Sequence, residues 1–203
     1  MYFRDIIGLH EIKRHLIDTV NQDIVPHARV FHGPGGVGKL PLAIAYARYL
    51  NCSHRGEDDS CGECPSCHKF DKLAHPDLHF VFPVVKSKVS DEYLPQWREM
   101  LSRKAYLNLG EWLQFIDAQN AQGLIYEKES GEIIRKLNLK VYEAPYKVMI
   151  VWLPEKMHLA CANKLLKMIE EPPAHTVFIL VAEDTENVLQ TIWSRCQPLH
   201  IRA

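Results

Sequence analysis

Seven residues, Gly33–Lys39 (GPGGVGK), constrain this chain more than any other stretch of it. They fit G-x-x-x-x-G-K, in which glycines let the backbone wrap several N–H groups around a phosphate at the positive end of the following helix. Such a loop has this meaning only between a strand and a helix. The flanks meet that condition: ARVFH reads as a short apolar strand and LPLAIAYARYLN as a helix. Pro41 falls in the first helical turn, where backbone N–H groups have no intrahelical partner. Gly33, Gly35, Gly36 and Gly38 would form the cradle, and Lys39 would reach the outer phosphates. Leu40 departs from the pattern. A Ser or Thr there offers a hydroxyl to Mg²⁺ between the outer phosphates, and leucine has no oxygen to offer. A water could replace one lost ligand, so a second part of the metal site has to be read.

That second part is the end of YKVMIVWL, a nearly continuous apolar stretch of the kind found in buried parallel sheets. A hydrolase would place Asp there for the metal and Glu to polarise the attacking water. This chain has Trp152 and Leu153, then Pro154 and Glu155. Glu155 lies two residues past the strand end and reads as a solvated helix-start carboxylate rather than a catalytic one. The cradle and Lys39 could hold ATP or ADP, but with two parts of the metal site gone, hydrolysis is not expected.

The remaining segments alternate. GLHEIKRHLIDTVNQDI places Ile12, Leu16, Thr19 and Val20 on one helical face. HPDLHFVFPV is a strand ending at Pro83, and LPQWREMLSRKAYL and LGEWLQFIDAQN are helical. SGEIIRKLNLKVYEA is an amphipathic helix with Ile133, Ile134, Leu137 and Val141 facing inward and Glu132 early in it. LACANKLLKMIEEPP is a helix stopped by Pro172 and Pro173. TVFILVAE is a second buried strand, ENVLQTIWSRC a short helix and QPLHIR a last strand. The pattern predicts an α/β fold with a parallel sheet flanked by helices. A length of 203 residues suits one domain with a small appendage.

The appendage is marked by cysteines. Cys52, Cys61, Cys64 and Cys67 follow C-x8-C-x2-C-x2-C, so two overlapping C-x2-C steps bring thiolates together. A structural Cys₄ zinc site fits this spacing; an iron–sulfur cluster or a redox dithiol are the alternatives. His54 and His68 could substitute for a ligand, but four thiolates already close the shell. Cys161 and Cys196 read as buried thiols. The N-terminus is charged and helix-like rather than a signal peptide, and no apolar run approaches the ~18 residues of a membrane span. A reducing cytoplasm is therefore expected, which favours metal over disulfides. Lys+Arg total 24 against 25 Asp+Glu, so composition supplies no basic nucleic-acid face.

Taken together, DIIGLHEIKRHL, PHARVFHGPGGVGK, the cysteine module after the loop helix, HPD at His75–Asp77, YKVMIV, ANKLLKMIEEPP and TIWSRCQPLHI resemble the clamp-loader subunits of bacterial DNA polymerase III, within the AAA+ ATPases. The resemblance covers most of the chain except about 85–123. It implies an AAA+ N-terminal domain over 1–203, a zinc module at about 51–69 and a helical insertion at about 85–123. The family's lid and collar would lie outside the chain. In this family gamma/tau subunits hydrolyse ATP and delta-prime generally does not, and Leu40 and Trp152-Leu153 sort this chain toward delta-prime. At VAED the usual Thr or Asn is also missing, and Glu183 and Asp184 would repel a γ-phosphate if they pointed inward.

The resemblance further implies that Arg195, in the intact SRC motif, is an arginine finger reaching a neighbouring subunit's ATP; the alternative is a local salt-bridge residue. Its partners would be the gamma/tau and delta subunits, with the sliding clamp and primed DNA reached through the complex, and no membrane. The chain would thus serve the polymerase holoenzyme in DNA replication without an ATPase of its own. Two other readings compete: a gamma/tau-like ATPase with Glu155 in an atypical metal site, and an unrelated phosphate-loop protein whose zinc module binds nucleic acid. Near-neutral charge and the lack of a recognition helix weigh against the last. In the insertion, Tyr93, Trp97, Trp112 and Phe115 are expected to pack as a helical subdomain.

Overall fold

Strands β3 (Lys147–Trp152) and β4 (Thr176–Ala182) are buried along their whole lengths in the computed structural model, which describes residues 1–202. Unbroken apolar runs are what a strand needs when both faces of its sheet are covered. Alternate residues serve the two faces. Val148, Ile150, Trp152, Val177, Ile179 and Val181 join one apolar cluster, and Met149, Val151, Phe178 and Leu180 join the other. β1 (Ala28–His32), β2 (Leu78–Val81) and β5 (Gln197–His200) complete a five-stranded sheet in the order β2-β3-β4-β1-β5. Every pairing is parallel. The five segments expected to be strands are the five strands of this sheet.

The order positions the site. From β1 the chain crosses to the far edge at β2, whereas from β4 it crosses the other way to β5. A crevice therefore opens between the C-terminal ends of β1 and β4, the place where open α/β sheets hold ligands. His32 pairs with Ala182, so Gly33 and Glu183 leave the sheet side by side.

α1 (His10–Asn21), α2 (Lys39–Leu50) and α3 (Pro65–Asp71) lie on the Trp152 face. All twelve residues of α2 are buried, because it sits between the sheet and α1, α3 and the N-terminal turn. Burying Arg48 requires partners: its guanidinium meets the Asp71 carboxylate at 2.5 Å and the Tyr2 hydroxyl at 2.6 Å, and lies 3.7 Å from the Tyr2 ring centroid.

α4 (Leu94–Arg103) and α5 (Leu109–Phe115) cover the same face. Trp97 and Trp112 are fully buried there. Trp97 stacks on Phe82 at 4.1 Å and lies 5.2 Å from Trp152, and the Trp112 indole N–H donates to the Pro83 carbonyl at 2.8 Å. α5 is shorter than its sequence pattern. It starts at an Asn108/Glu111 capping box and ends at Phe115, with Asp117 in the left-handed region.

The opposite face carries α6 (Glu127–Asn138), α7 (Leu159–Glu170) and α8 (Gln190–Trp193). α6 begins earlier and stops sooner than expected, leaving Val141 outside it. Glu127 and Glu129 occupy the dipole-favoured first turn, while Glu132 is mid-helix and pairs with Arg135. The HPD motif explains where the chain turns into β3. Buried Asp77 accepts the backbone N–H groups of Tyr142, Glu143 and Ala144 at 2.7, 3.0 and 3.0 Å. His75 Nδ1 accepts the Asp77 N–H at 3.1 Å, so the motif is structural.

Candidate phosphate-loop site and cysteine cluster

The glycine loop joins β1 to α2 at the crevice. Gly33 passes so close to the last strand that a Cβ on it would lie 2.1 Å from the Ile201 carbonyl oxygen, which only glycine allows. Gly36 and Gly38 have φ of +79° and +88°, and Gly38 caps α2 without any side chain. The backbone N–H groups at the start of α2 are thus left without a side-chain cap, as an anion cradle requires.

Lys39 is buried and donates to the Pro34 carbonyl within its own loop. Its Nζ lies 3.9 Å from Glu183 Oε1. Burial lowers the Lys39 pKa, and Glu183 and Glu155 oppose that shift. Glu183 does point inward: its Oε2 is 3.4 Å from where a Gly35 Cβ would stand. Asp184 does not; it is exposed and accepts from the Asn187 amide at 2.5 Å.

Leu40, Trp152 and Leu153 are all buried and apolar, so these positions offer no oxygen to a cation. Glu155 differs from its expectation as a solvated carboxylate. Leu153 adopts the left-handed region at φ 57° and turns the chain back, carrying Glu155 over the sheet end. Its Oε1 accepts the N–H groups of Glu183 and Asp184 at 2.9 and 3.1 Å, and Oε2 is buried without a partner. Burial raises its pKa, against the pull of those N–H donors. The residue fixes the loop that holds Glu183. A lone Glu after Pro gives no sequence signal for this, because the reversal at Leu153 is set by tertiary packing.

Arg195 follows α8 and is partly exposed. Its Nε meets Glu170 Oε2 at 3.0 Å and its Nη1 donates to the Thr191 carbonyl at 2.8 Å.

The four module cysteines converge, with all four Sγ atoms within 4.8 Å of one another. Adjacent pairs lie at 3.5, 3.9 and 4.0 Å. Thiolates bound to one tetrahedral ion at about 2.3 Å stand roughly 3.8 Å apart, so the cluster can hold a metal ion such as zinc. Backbone N–H groups of Cys61, Glu63, Cys64 and Cys67 point at its sulfurs at 3.3–3.4 Å, which favours thiolate over thiol. His54 and His68 are not part of the cluster. Cys161 and Cys196 are buried elsewhere, and burial pushes each thiol up to about 12.

A glycine loop and lysine at the switch point of a parallel sheet, followed by a buried helix, give an α/β domain with the geometry of a phosphate loop, beside which Leu40, Trp152 and Leu153 are buried and apolar. The chain belongs to the family described as DNA polymerase III, delta subunit, whose model matches residues 8–203. This bears out the resemblance to clamp-loader AAA+ subunits. Curated relatives include subunit tau of Bacillus subtilis, 29% identical over 96% of this chain and 28% of its own length. They also include subunit delta' of Haemophilus influenzae, 29% identical over 93% of this chain and 46% of its own. Subunit delta' of Bacillus subtilis is 28% identical over 91% and 44%. The chain thus spans less than half the length of these relatives. A crystal structure of a DNA polymerase III gamma subunit-related protein from Thermotoga maritima shares the fold, with a TM-score of 0.55 at 16% identity, covering 94% of this chain and 46% of that one. Among the described residues no helix is long and apolar enough to cross a membrane.

Proposed function

We propose that this chain is the AAA+ domain of a delta-prime-type clamp-loader subunit, which does not hydrolyse ATP itself and acts on a neighbour. Overall identity does not separate delta' from tau relatives, so the site must. The observation that carries the reading is the pair Leu40 and Trp152, buried apolar side chains at two positions where hydrolysis needs oxygen ligands. Glu155 is the one feature favouring an ATPase with an atypical metal site, since it is half-buried and its Oε2 is buried without a partner. Its other oxygen is bound to two backbone N–H groups, which suits an anchor better than a metal ligand.

In the assembled loader Arg195 supplies a guanidinium to ATP bound by the adjacent subunit, so that the sliding clamp is loaded onto primed DNA. The partners are gamma/tau and delta subunits, in the cytoplasm. Both groups of the Arg195–Glu170 pair are partly exposed, and such pairs contribute only about 0–1 kcal/mol, so little opposes exchanging Glu170 for a phosphate. The cysteine cluster binds structural zinc.

The test of the finger is Arg195→Ala in the full-length subunit, reconstituted with its partners, clamp and primed DNA. Assembly is expected to survive while hydrolysis at the neighbouring site falls by about 10³-fold, the lower side of what an arginine finger contributes. An unchanged loader rate would remove the assignment.

A further inference from the structure

The segment between α4 and α5 lies across the phosphate loop. The Tyr106 ring rests on Gly38: a Cβ there would stand 3.1 Å from Tyr106 Cε1 and 3.2 Å from its hydroxyl oxygen. That hydroxyl lies 3.5 Å from the Ile7 backbone nitrogen, so the side chain bridges the loop and the segment before α1. Ala105, Tyr106 and Leu107 close over Gly36, Gly38 and Lys39, leaving a cavity of about 20 Å³. That is room for about one water, whereas cofactor pockets run to roughly 300 Å³ or more. On the inner side the Glu183 carboxylate stands over Gly35 and faces Lys39. The cation of the loop already has an anion.

We propose that the α4–α5 segment is a built-in plug, in which Tyr106 covers the phosphate loop while Glu183 occupies the phosphate's place opposite Lys39. The loop is thereby held in a closed, nucleotide-free form, and the insertion at 85–123 acquires a role beyond packing. Trp97 and Trp112 seat the segment on the sheet through Phe82 and Trp152, so the plug is attached to the rigid core rather than to a mobile strap. This inference rests on the reading of the loop as a retired phosphate site. It is separable from the missing metal chemistry, because the plug governs binding and the metal positions govern turnover.

The test is titration of the full-length subunit with a fluorescent ADP analogue, with and without Mg²⁺. Wild type and Tyr106→Phe, which keeps the ring, are expected to show no saturable binding up to about 1 mM. The double variant Tyr106→Ala/Glu183→Gln is expected to bind at least tenfold more tightly, and adding Lys39→Ala should abolish the gain. Micromolar binding by wild type would overturn the proposal. So would a double variant with wild-type melting temperature and metal content but no gain in binding. If the double variant does not fold, Glu183→Gln alone, at a half-buried position, should raise affinity severalfold, and no rise would count against the proposal. ATP turnover by the opened variant would support the plug while refuting the non-hydrolysing reading.

Discussion

Replacing any one of Cys52, Cys61, Cys64 or Cys67 with serine is expected to destabilise the protein by at least about 5 kcal/mol, a fall in melting temperature on the order of 10–20 °C. Between Cys52 and Cys64 the chain contains no helix or strand of its own. Its sulfurs and a few turns are what shape it, so a tetrahedral ion would supply most of its folding free energy. The loss would spread. A Cβ at Gly62 would stand 2.8 Å from the Tyr2 hydroxyl, and Asp59 accepts the N–H groups of Phe3 and Arg4 at 3.2 and 3.1 Å. Phe3 in turn packs on Tyr49 of α2, 5.7 Å between ring centroids. The module therefore clamps the N-terminal turn against the helix that follows the phosphate loop. Thermal melting alongside elemental analysis checks this: one equivalent of zinc per wild-type chain, lost together with stability in the variants. Wild type purified without metal and melting like the serine variants would refute the zinc assignment.

Trp152→Asp, which returns a carboxylate to the position a hydrolase would use, should destabilise the domain by about 5 kcal/mol and create no ATPase. Removing a buried tryptophan costs about 3–5 kcal/mol through lost contacts and the cavity left behind. Trp152 is 2% exposed and packs on Trp97, so nothing nearby is free to refill the space. The new carboxylate would lie beside Leu40 and share a cavity with Glu183, where burial and like charge both push it toward the protonated form. A group in that state is a poor ligand for Mg²⁺. Trp152→Phe serves as the control and should cost less than about 2 kcal/mol, since it keeps an aromatic face toward Trp97. Chemical denaturation of the three proteins, paired with phosphate-release assays, gives the result. A Trp152→Asp protein of wild-type stability with Mg²⁺-dependent turnover would contradict the account.

Much of this is legible in the sequence, for identifiable reasons. Strands β3 and β4 announce themselves because burial on both faces demands apolar residues without alternation. The cysteine cluster is equally plain, since thiolates sharing one ion must recur at short intervals. What escaped was set by tertiary packing. Glu155 reads as a surface carboxylate until the left-handed turn at Leu153 carries it inward to hold the Glu183 loop. Tyr106 falls in a stretch whose pattern suggests helix, and nothing local says that its ring will rest on Gly38, more than sixty residues earlier in the chain. α6 starts ahead of its sequence pattern because Glu127 and Glu129, not Glu132, meet the helix N-terminus. Arg195 was legible as a motif, while its resting partner Glu170, twenty-five residues away, was not.

The most direct measurement of the central claim is ATP hydrolysis by the full-length subunit alone, in Mg²⁺, compared with its Lys39→Ala variant. If Leu40 and Trp152 close the metal positions as proposed, both proteins should release phosphate at the background rate, indistinguishably. Turnover by the wild-type subunit that disappears with Lys39→Ala would show a working engine in this chain, and would contradict the account.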